Sequence, residues 1–200
     1  MTRGGKVLLF IIVILVADQI LKIWVKTSMT LGQDISIAGN WAYLYFVENK
    51  GMAFGMEFGG AAGKIALSLF RIIAAVAIGW YLVRLINNMA HTGLIFAIAA
   101  ILAGAVGNII DSTFYGVIFS ESSFHQTATI FPPDGGYAPL LKGKVVDMFY
   151  FPVIEGRWPE WSPIRAGEQF VFFRPVFNIA DAAITSGVIA LILFQKRFFD

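Results

Sequence analysis

The chain has 200 residues, 58% of them hydrophobic and only 14% charged, with a formal net charge of +2. Soluble domains carry about 45–50% apolar and about 25% charged residues, so the surplus must face something other than water, and so small a positive charge argues against a nucleic-acid partner. Cysteine is absent and the two histidines, His91 and His125, lie far apart, which excludes thiol nucleophiles, disulfides, thiolate zinc sites and HExxH-type metal centres.

A helix that crosses a bilayer needs about 20 mostly apolar residues. Runs of that kind predict four spans, over about residues 7–25, 65–86, 93–110 and 177–194. The first has Arg3 and Lys6 ahead of it, as a signal peptide would. It continues past Ala17 through Ile20, Leu21, Ile23 and Trp24 with no cleavage pattern, so it reads as a retained helix. In the loop at 26–64, Tyr43 to Val47 reads as a strand, with a turn at Asn49-Lys50-Gly51 and a second apolar segment through Phe54. The loop at 111–176 holds turn signals at Pro132-Pro133-Asp134-Gly135-Gly136 and a strand-like run from Lys144 to Phe151. Beyond it Trp158, Trp161, Phe170, Phe172 and Phe173 suit the headgroup layer, where rings anchor a loop to the bilayer surface. With no repeat or low-complexity tract, residues 1–200 read as a single polytopic domain.

Arg3, Lys6, Arg84, Lys196 and Arg197 fall on one side of a four-span chain. The positive-inside rule makes that side cytoplasmic, with both termini there and both long loops outside. Ionisable residues within spans are costly and mark function. Asp18, Lys22, Arg71 and Asp181, with Asp111 at the end of the third span, all fall in the outer portions. The inner stretches Leu8 to Val16, Val76 to Val83, Leu94 to Leu102 and Val188 to Phe194 are apolar. A channel or transporter needs polar groups through its thickness or at its midplane. An enzyme working at one face needs them only there. The alternative reading is a non-enzymatic transporter or lipid-binding assembly factor, which would explain the charges but not their confinement.

Asn108 and Asp111, and again Asn178 and Asp181, stand at i and i+3, and Asp18 and Lys22 at i and i+4, so each pair shares a helix face. Asp18 with Lys22 reads as a neutralised structural pair, and Arg71, taken separately, as an ion-pair partner or a group that reaches lipid phosphate, with structure favoured. Asn108 with Asp111 fits support and catalysis equally. Asp147 alone would be a turn or edge residue. Taken with Asp181 it suggests a carboxylate pair, in which one member stays charged and activates water while the other holds a proton. Such a pair hydrolyses peptides without a metal or a covalent intermediate.

The chain resembles lipoprotein signal peptidase, or signal peptidase II. The resemblance lies in Asp18-Gln19, Asn49-Lys50-Gly51-Met52-Ala53-Phe54-Gly55, Gly104 to Asp111, Val145 to Phe149 and Phe177 to Ala182, five blocks in order along nearly the whole chain. It implies an all-α membrane protein, a four-transmembrane-helix bundle with a small extracytoplasmic β-cradle and an interfacial helix. It implies catalytic aspartates at Asp147 and Asp181, supported by Asp18, Lys22, Asn49, Gly51, Asn108, Asp111 and Asn178, with no metal and no cofactor. The implied substrate is a prolipoprotein whose signal peptide ends before a diacylglyceryl-modified cysteine, cut at the outer face of the bacterial inner membrane by a monomer in contact with membrane lipid. A serine–lysine peptidase is the weaker match, since no serine accompanies Lys22 in a motif. Two departures stand out. Ser112 follows Asp111 where the family has arginine, with Arg71 or Arg174 to compensate, and the stretches 113–143 and 152–174 are long.

Overall fold

The computed structural model describes residues 1–49, 60–152, 154–161, 167–172 and 175–199. Lys50 to Gly55, with the support residue Gly51 among them, Phe173 and Arg174, all singled out above, lie outside them. Helix α1 (Arg3–Ser28) begins at Thr2, whose hydroxyl accepts the Gly5 N–H at 3.1 Å, a normal N-cap. It runs three residues past the predicted apolar end. The reason is that Lys22 and Lys26 are fully buried among protein acceptors, so the helix continues without placing a bare charge in lipid. Strands β1 (Asp34–Ala38) and β2 (Ala42–Asn49) follow, then helices α2 (Gly60–Asn87) and α3 (Thr92–Ile110).

At Asp111 the third helix widens into a π-helical turn, Asp111–Tyr115, and ends in the short α4 (Gly116–Ile118). Among the described residues three stretches are long and apolar enough to cross a membrane: Arg3–Ser28, Ala62–Asn87 and Thr92–Ile118. Their flanks carry exposed apolar side chains, among them Leu8, Ile12, Ile20, Phe70, Ile73 and Val76, as lipid-facing helices do.

Strand β3 (Val145–Tyr150) returns the chain to the bundle; β4 (Ile154–Arg157) and β5 (Gln169–Phe172) pair with each other. The residues before the fourth apolar helix, Val176 and Phe177, pair with β3 as β6. Helix α5 (Ile179–Leu193) therefore starts only after Asn178 and has 15 residues, shorter than the 177–194 run predicts. The five-residue α6 (Gln195–Phe199) closes the chain.

The main sheet is antiparallel, ordered β1-β2-β3-β6. Between Leu44 and Val47 strand β2 carries one residue more than β3, a bulge that sets Val47 opposite Asp147 and Asn49 opposite Val145. Four successive β3 residues, Val145 to Met148, are buried, so both faces of this strand are covered and Asp147 is held in a dry setting.

Two apolar clusters bracket that setting along α1. One gathers Val25 and Met29 with Phe46, Tyr115, Phe119, Val146 and Met148; the other gathers Val7 with Leu82, Leu85, Leu94 and Ile95. Helices α3 and α5 touch backbone to backbone. A Cβ at Gly104 would lie 2.1 Å from the Ala180 carbonyl oxygen, and one at Gly187 would lie 2.6 Å from that of Ala97. Small residues at such crossings are what let membrane helices approach closely.

Candidate active site

Residues 18, 22 and 26 lie one turn apart on α1 and point into the protein. The Lys22 ammonium has three hydrogens and meets three acceptors, Asp18 Oδ2, Asp111 Oδ2 and Asn108 Oδ1, each at 2.9 Å. All three ionic partners are essentially inaccessible to solvent. Gln19 closes the group, its Nε2 donating to Asp18 Oδ2 and Asp111 Oδ1 at 3.1 and 3.0 Å, while its Oε1 accepts from the Tyr115 hydroxyl at 3.1 Å.

Each carboxylate of this centre also fixes a neighbouring element. Asp18 Oδ1 accepts the Ala180 N–H at 2.9 Å, satisfying one of the first amides of α5. Asp111 Oδ2 accepts the Val146 N–H at 3.2 Å and so ties β3 to the end of α3. Gly107 is needed for this closeness, because a Cβ there would stand 2.8 Å from Asp18 Oδ2.

Asn178 joins the remaining groups. It caps α5 in a capping box: its Oδ1 accepts the Asp181 N–H at 2.8 Å and Asp181 Oδ2 accepts the Asn178 N–H at 3.3 Å. Its Nδ2 donates to Asp147 Oδ1 at 2.7 Å, with Asn108 Oδ1 and the Val146 carbonyl each at 3.2 Å. Asn108 Nδ2 donates to Asp181 Oδ1 at 2.8 Å. One residue, Asn178, thus touches both Asp147 and Asp181.

Burial first, and the charge of Asp181 second, push the Asp147 carboxyl up to about 7, against hydrogen bonds from Asn178 and Asn49 and the more distant charge of Lys22. Arg71 of α2 lies within electrostatic reach of both carboxylates. Ser112 is buried and donates back to the Asn108 carbonyl at 2.9 Å, so it serves the helix rather than a carboxylate.

The residues expected from spacing, Asp18, Lys22, Asn108, Asp111, Asn178 and Asp181, are therefore in one place, together with Asp147, suggested as the partner of Asp181, and Asn49, implied by the resemblance. The bonding through Gln19 and Tyr115 was not anticipated. Nor was a second buried group one turn along α1. There Lys26 pairs with Glu48 and donates to Ser122 Oγ at 2.9 Å, and Lys144 approaches Glu48 Oε2 at 3.0 Å. Burial would raise the Glu48 carboxyl, but Lys26 and then Lys144 outweigh it and hold it below its ordinary range. The i, i+4 spacing of Asp18, Lys22 and Lys26 on one helix face was the available signal for Lys26.

Fold and site together define a multi-pass membrane protein whose polar chemistry is gathered around buried carboxylates at one end of its helices. Residues 10–197 match the family model for signal peptidase (SPase) II. The chain is 50% identical to the lipoprotein signal peptidase of Porphyromonas gingivalis over 98% of its own length and 84% of the relative's. The proteins of the same name from Amoebophilus asiaticus and Pelodictyon phaeoclathratiforme are 41% and 31% identical, over 91% and 96% of this chain and 73% and 92% of theirs. A bacterial membrane enzyme solved by the in meso method at 1.9 Å resolution shares the fold, with a TM-score of 0.62 at 23% identity, over 96% of this chain and 92% of that one. This chain belongs to the signal peptidase II family, and is a peptidase.

Proposed function

We propose that the chain removes signal peptides from diacylglyceryl-modified prolipoproteins with Asp147 and Asp181 as its catalytic pair. The general activity, lipoprotein signal-peptide cleavage, follows from the family; the pair and its chemistry are our reading. The observation that carries it is Asn178, which hydrogen-bonds both carboxylates inside an otherwise closed centre.

The two side chains are placed for different tasks. Both oxygens of Asp181 accept hydrogen bonds, and it stands in the first turn of α5, where the helix dipole favours negative charge. It is the base. Its carboxylate takes a proton from water as the water oxygen attacks the scissile carbonyl carbon. Asp147, raised by burial, holds a proton that it donates to the carbonyl oxygen. Collapse of the tetrahedral intermediate breaks the C–N bond as the proton gained by Asp181 passes to the leaving amine and Asp147 takes back a proton from one hydroxyl, which leaves the carboxyl product and both aspartates as they began.

Asp18, Lys22, Asn49, Asn108, Asp111 and Asn178 hold this pair in register, and the family resemblance assigns Gly51 to the same supporting set. The 200 residues act as one domain and a monomer, with α5 as a fourth crossing, the sheet as a cradle on the extracytoplasmic side and both termini in the cytoplasm. The lipid anchor of the substrate then holds its scissile bond at the height of the pair.

Incubation of purified Asp147→Asn and Asp181→Asn with a diacylglyceryl-modified prolipoprotein tests the assignment by mass analysis of the product. Each should lose processing by about 10²- to 10⁴-fold, the usual contribution of a positioned acid or base, while unfolding at close to the parent temperature. Near-parental cleavage by either variant defeats it.

A further inference from the structure

The long segment after α3 is built against the end of that helix. Its amides donate to the carbonyls that the helix leaves open: Gly143 N–H to Ser112 at 2.9 Å, Leu141 to Thr113 at 3.1 Å, Ala138 to Gly116 at 2.9 Å, Tyr137 to Phe119 at 3.0 Å and Phe131 to Ile118 at 2.7 Å. Two glycines make the approach possible, since a Cβ at Gly143 would lie 2.1 Å from the Asp111 carbonyl oxygen and one at Gly136 would lie 2.1 Å from that of Gly116. Residues 131–143 therefore share the height of the outer end of a membrane-spanning stretch, Thr92–Ile118.

That height falls in the interfacial layer. At 1.5 Å per residue, Phe114 stands about 33 Å along the helix from Thr92 and Ile118 about 39 Å. The hydrocarbon core is about 30 Å thick and the bilayer with its headgroups about 40–45 Å. Any tilt of the helix brings these residues deeper.

What the segment shows at that height is apolar. Phe114, Val117, Ile130, Phe131 and Leu140 are exposed, Phe131 by 75%. Phe131 is held with φ +50°, a conformation that a bulky L-residue rarely adopts, and two prolines follow it. The backbone thus keeps an aromatic ring pointing outward under strain instead of folding it inward. Of the exposed polar residues of the segment, Glu121, His125 and Gln126 lie on the preceding turn, which also exposes Phe124, while Asp134 lies just after the two prolines.

We propose that residues 113–143 form an apolar collar seated in the lipid headgroup layer, with Phe131 and Leu140 immersed and the turn at 121–126 in water. The occupant of this surface is membrane lipid. Continuity with the spanning helix supports this, as does the capping of that helix's last carbonyls, which matters most where water is scarce.

Because the chain contains no cysteine, a single introduced thiol carries a unique nitroxide. Phe131→Cys, Leu140→Cys and Gln126→Cys, each in the full chain in vesicles of phosphatidylethanolamine and phosphatidylglycerol, are compared by collision with oxygen and with a water-soluble nickel chelate. The expected result is severalfold lower chelate collision and higher oxygen collision at 131 and 140 than at 126. Chelate access at 131 and 140 equal to that at 126 overturns the collar. So does loss of both collision signals with spin–spin broadening that grows with protein-to-lipid ratio, which would mean that a second copy covers the surface. Either result is independent of peptidase activity.

Discussion

Two buried charge groups stand one helical turn apart on α1, and they are built differently. Around Lys22 one cation serves Asp18 and Asp111, with Asp147 and Asp181 linked on through Asn108 and Asn178. Around Lys26 two cations, Lys26 and Lys144, share Glu48, with Glu121 at the edge. The first group has more carboxylates than cations, even with Arg71 nearby, and meets the deficit with amides and with burial that favours a proton on Asp147. The second is balanced, buried at Lys26 and Glu48 and open to solvent at Glu121. An excess of buried acid stores reactivity, whereas a matched group holds the sheet on the helices. Substitutions should separate the two.

The largest effect is expected from Lys22→Met, which leaves Asp18 and Asp111 buried without a counter-ion. Removing one partner of a buried ion pair costs about 3–5 kcal/mol, enough for the variant to insert poorly or to unfold early in detergent, as a melting curve would report. Retention of the parent melting temperature would show that this lysine is not the keystone of the group.

Gly104→Ala comes next. Its methyl group would meet the Ala180 carbonyl oxygen at 2.1 Å, and backbone cannot retreat as a side chain can. Overpacking of this kind costs about 1–3 kcal/mol. Because Ala180 follows the cap residue of α5, activity should fall further than stability, a split that parallel melting and cleavage assays would read.

Lys26→Met should cost less, about 1–2 kcal/mol, since Glu48 keeps Lys144. Pairing it with Glu48→Gln should recover part of the loss, whereas no single carboxylate change should rescue Lys22→Met. A double-mutant cycle on melting temperature measures both.

The smallest effect is a pH response confined to one group. Asp147 is raised to about 7, above its unfolded value of about 3.9. Between those values the folded chain binds more protons than the unfolded one, so stability falls as pH rises through the window and cleavage declines above about 7 as the acid is lost. Glu48 is shifted the other way, so the Lys26 group should hold constant there. A cleavage rate that rises through pH 7 and beyond would reverse the roles given to the two aspartates.

Much of this arrangement was legible in the sequence. The first three helices are apolar runs of sufficient length, and the i, i+3 and i, i+4 spacings of Asn108–Asp111, Asn178–Asp181 and Asp18–Lys22 brought the right side chains to common faces. What escaped depends on contacts between distant segments. The extension of α1 to Ser28 requires acceptors for Lys26 that come from β2 and from Ser122. The truncation of α5 requires β3 to capture Val176 and Phe177. Strand β1, Asp34-Ile35-Ser36-Ile37-Ala38, does alternate polar and apolar and could have been read. The π-helical turn at Asp111 has no local signature; it stands where residues 131–143 wrap the helix end.

The brevity of α5 has a consequence for the lipid around it. Fifteen helical residues rise about 22 Å, against a hydrocarbon thickness of about 30 Å. With α5 as the fourth crossing proposed above, such a mismatch would be met by local thinning of the bilayer or by snorkelling of its flanks. Beside α5 the boundary between tails and headgroups would dip toward Asn178 and Asp181, bringing water and the glyceryl end of a lipid to the carboxylates without any helix having to open.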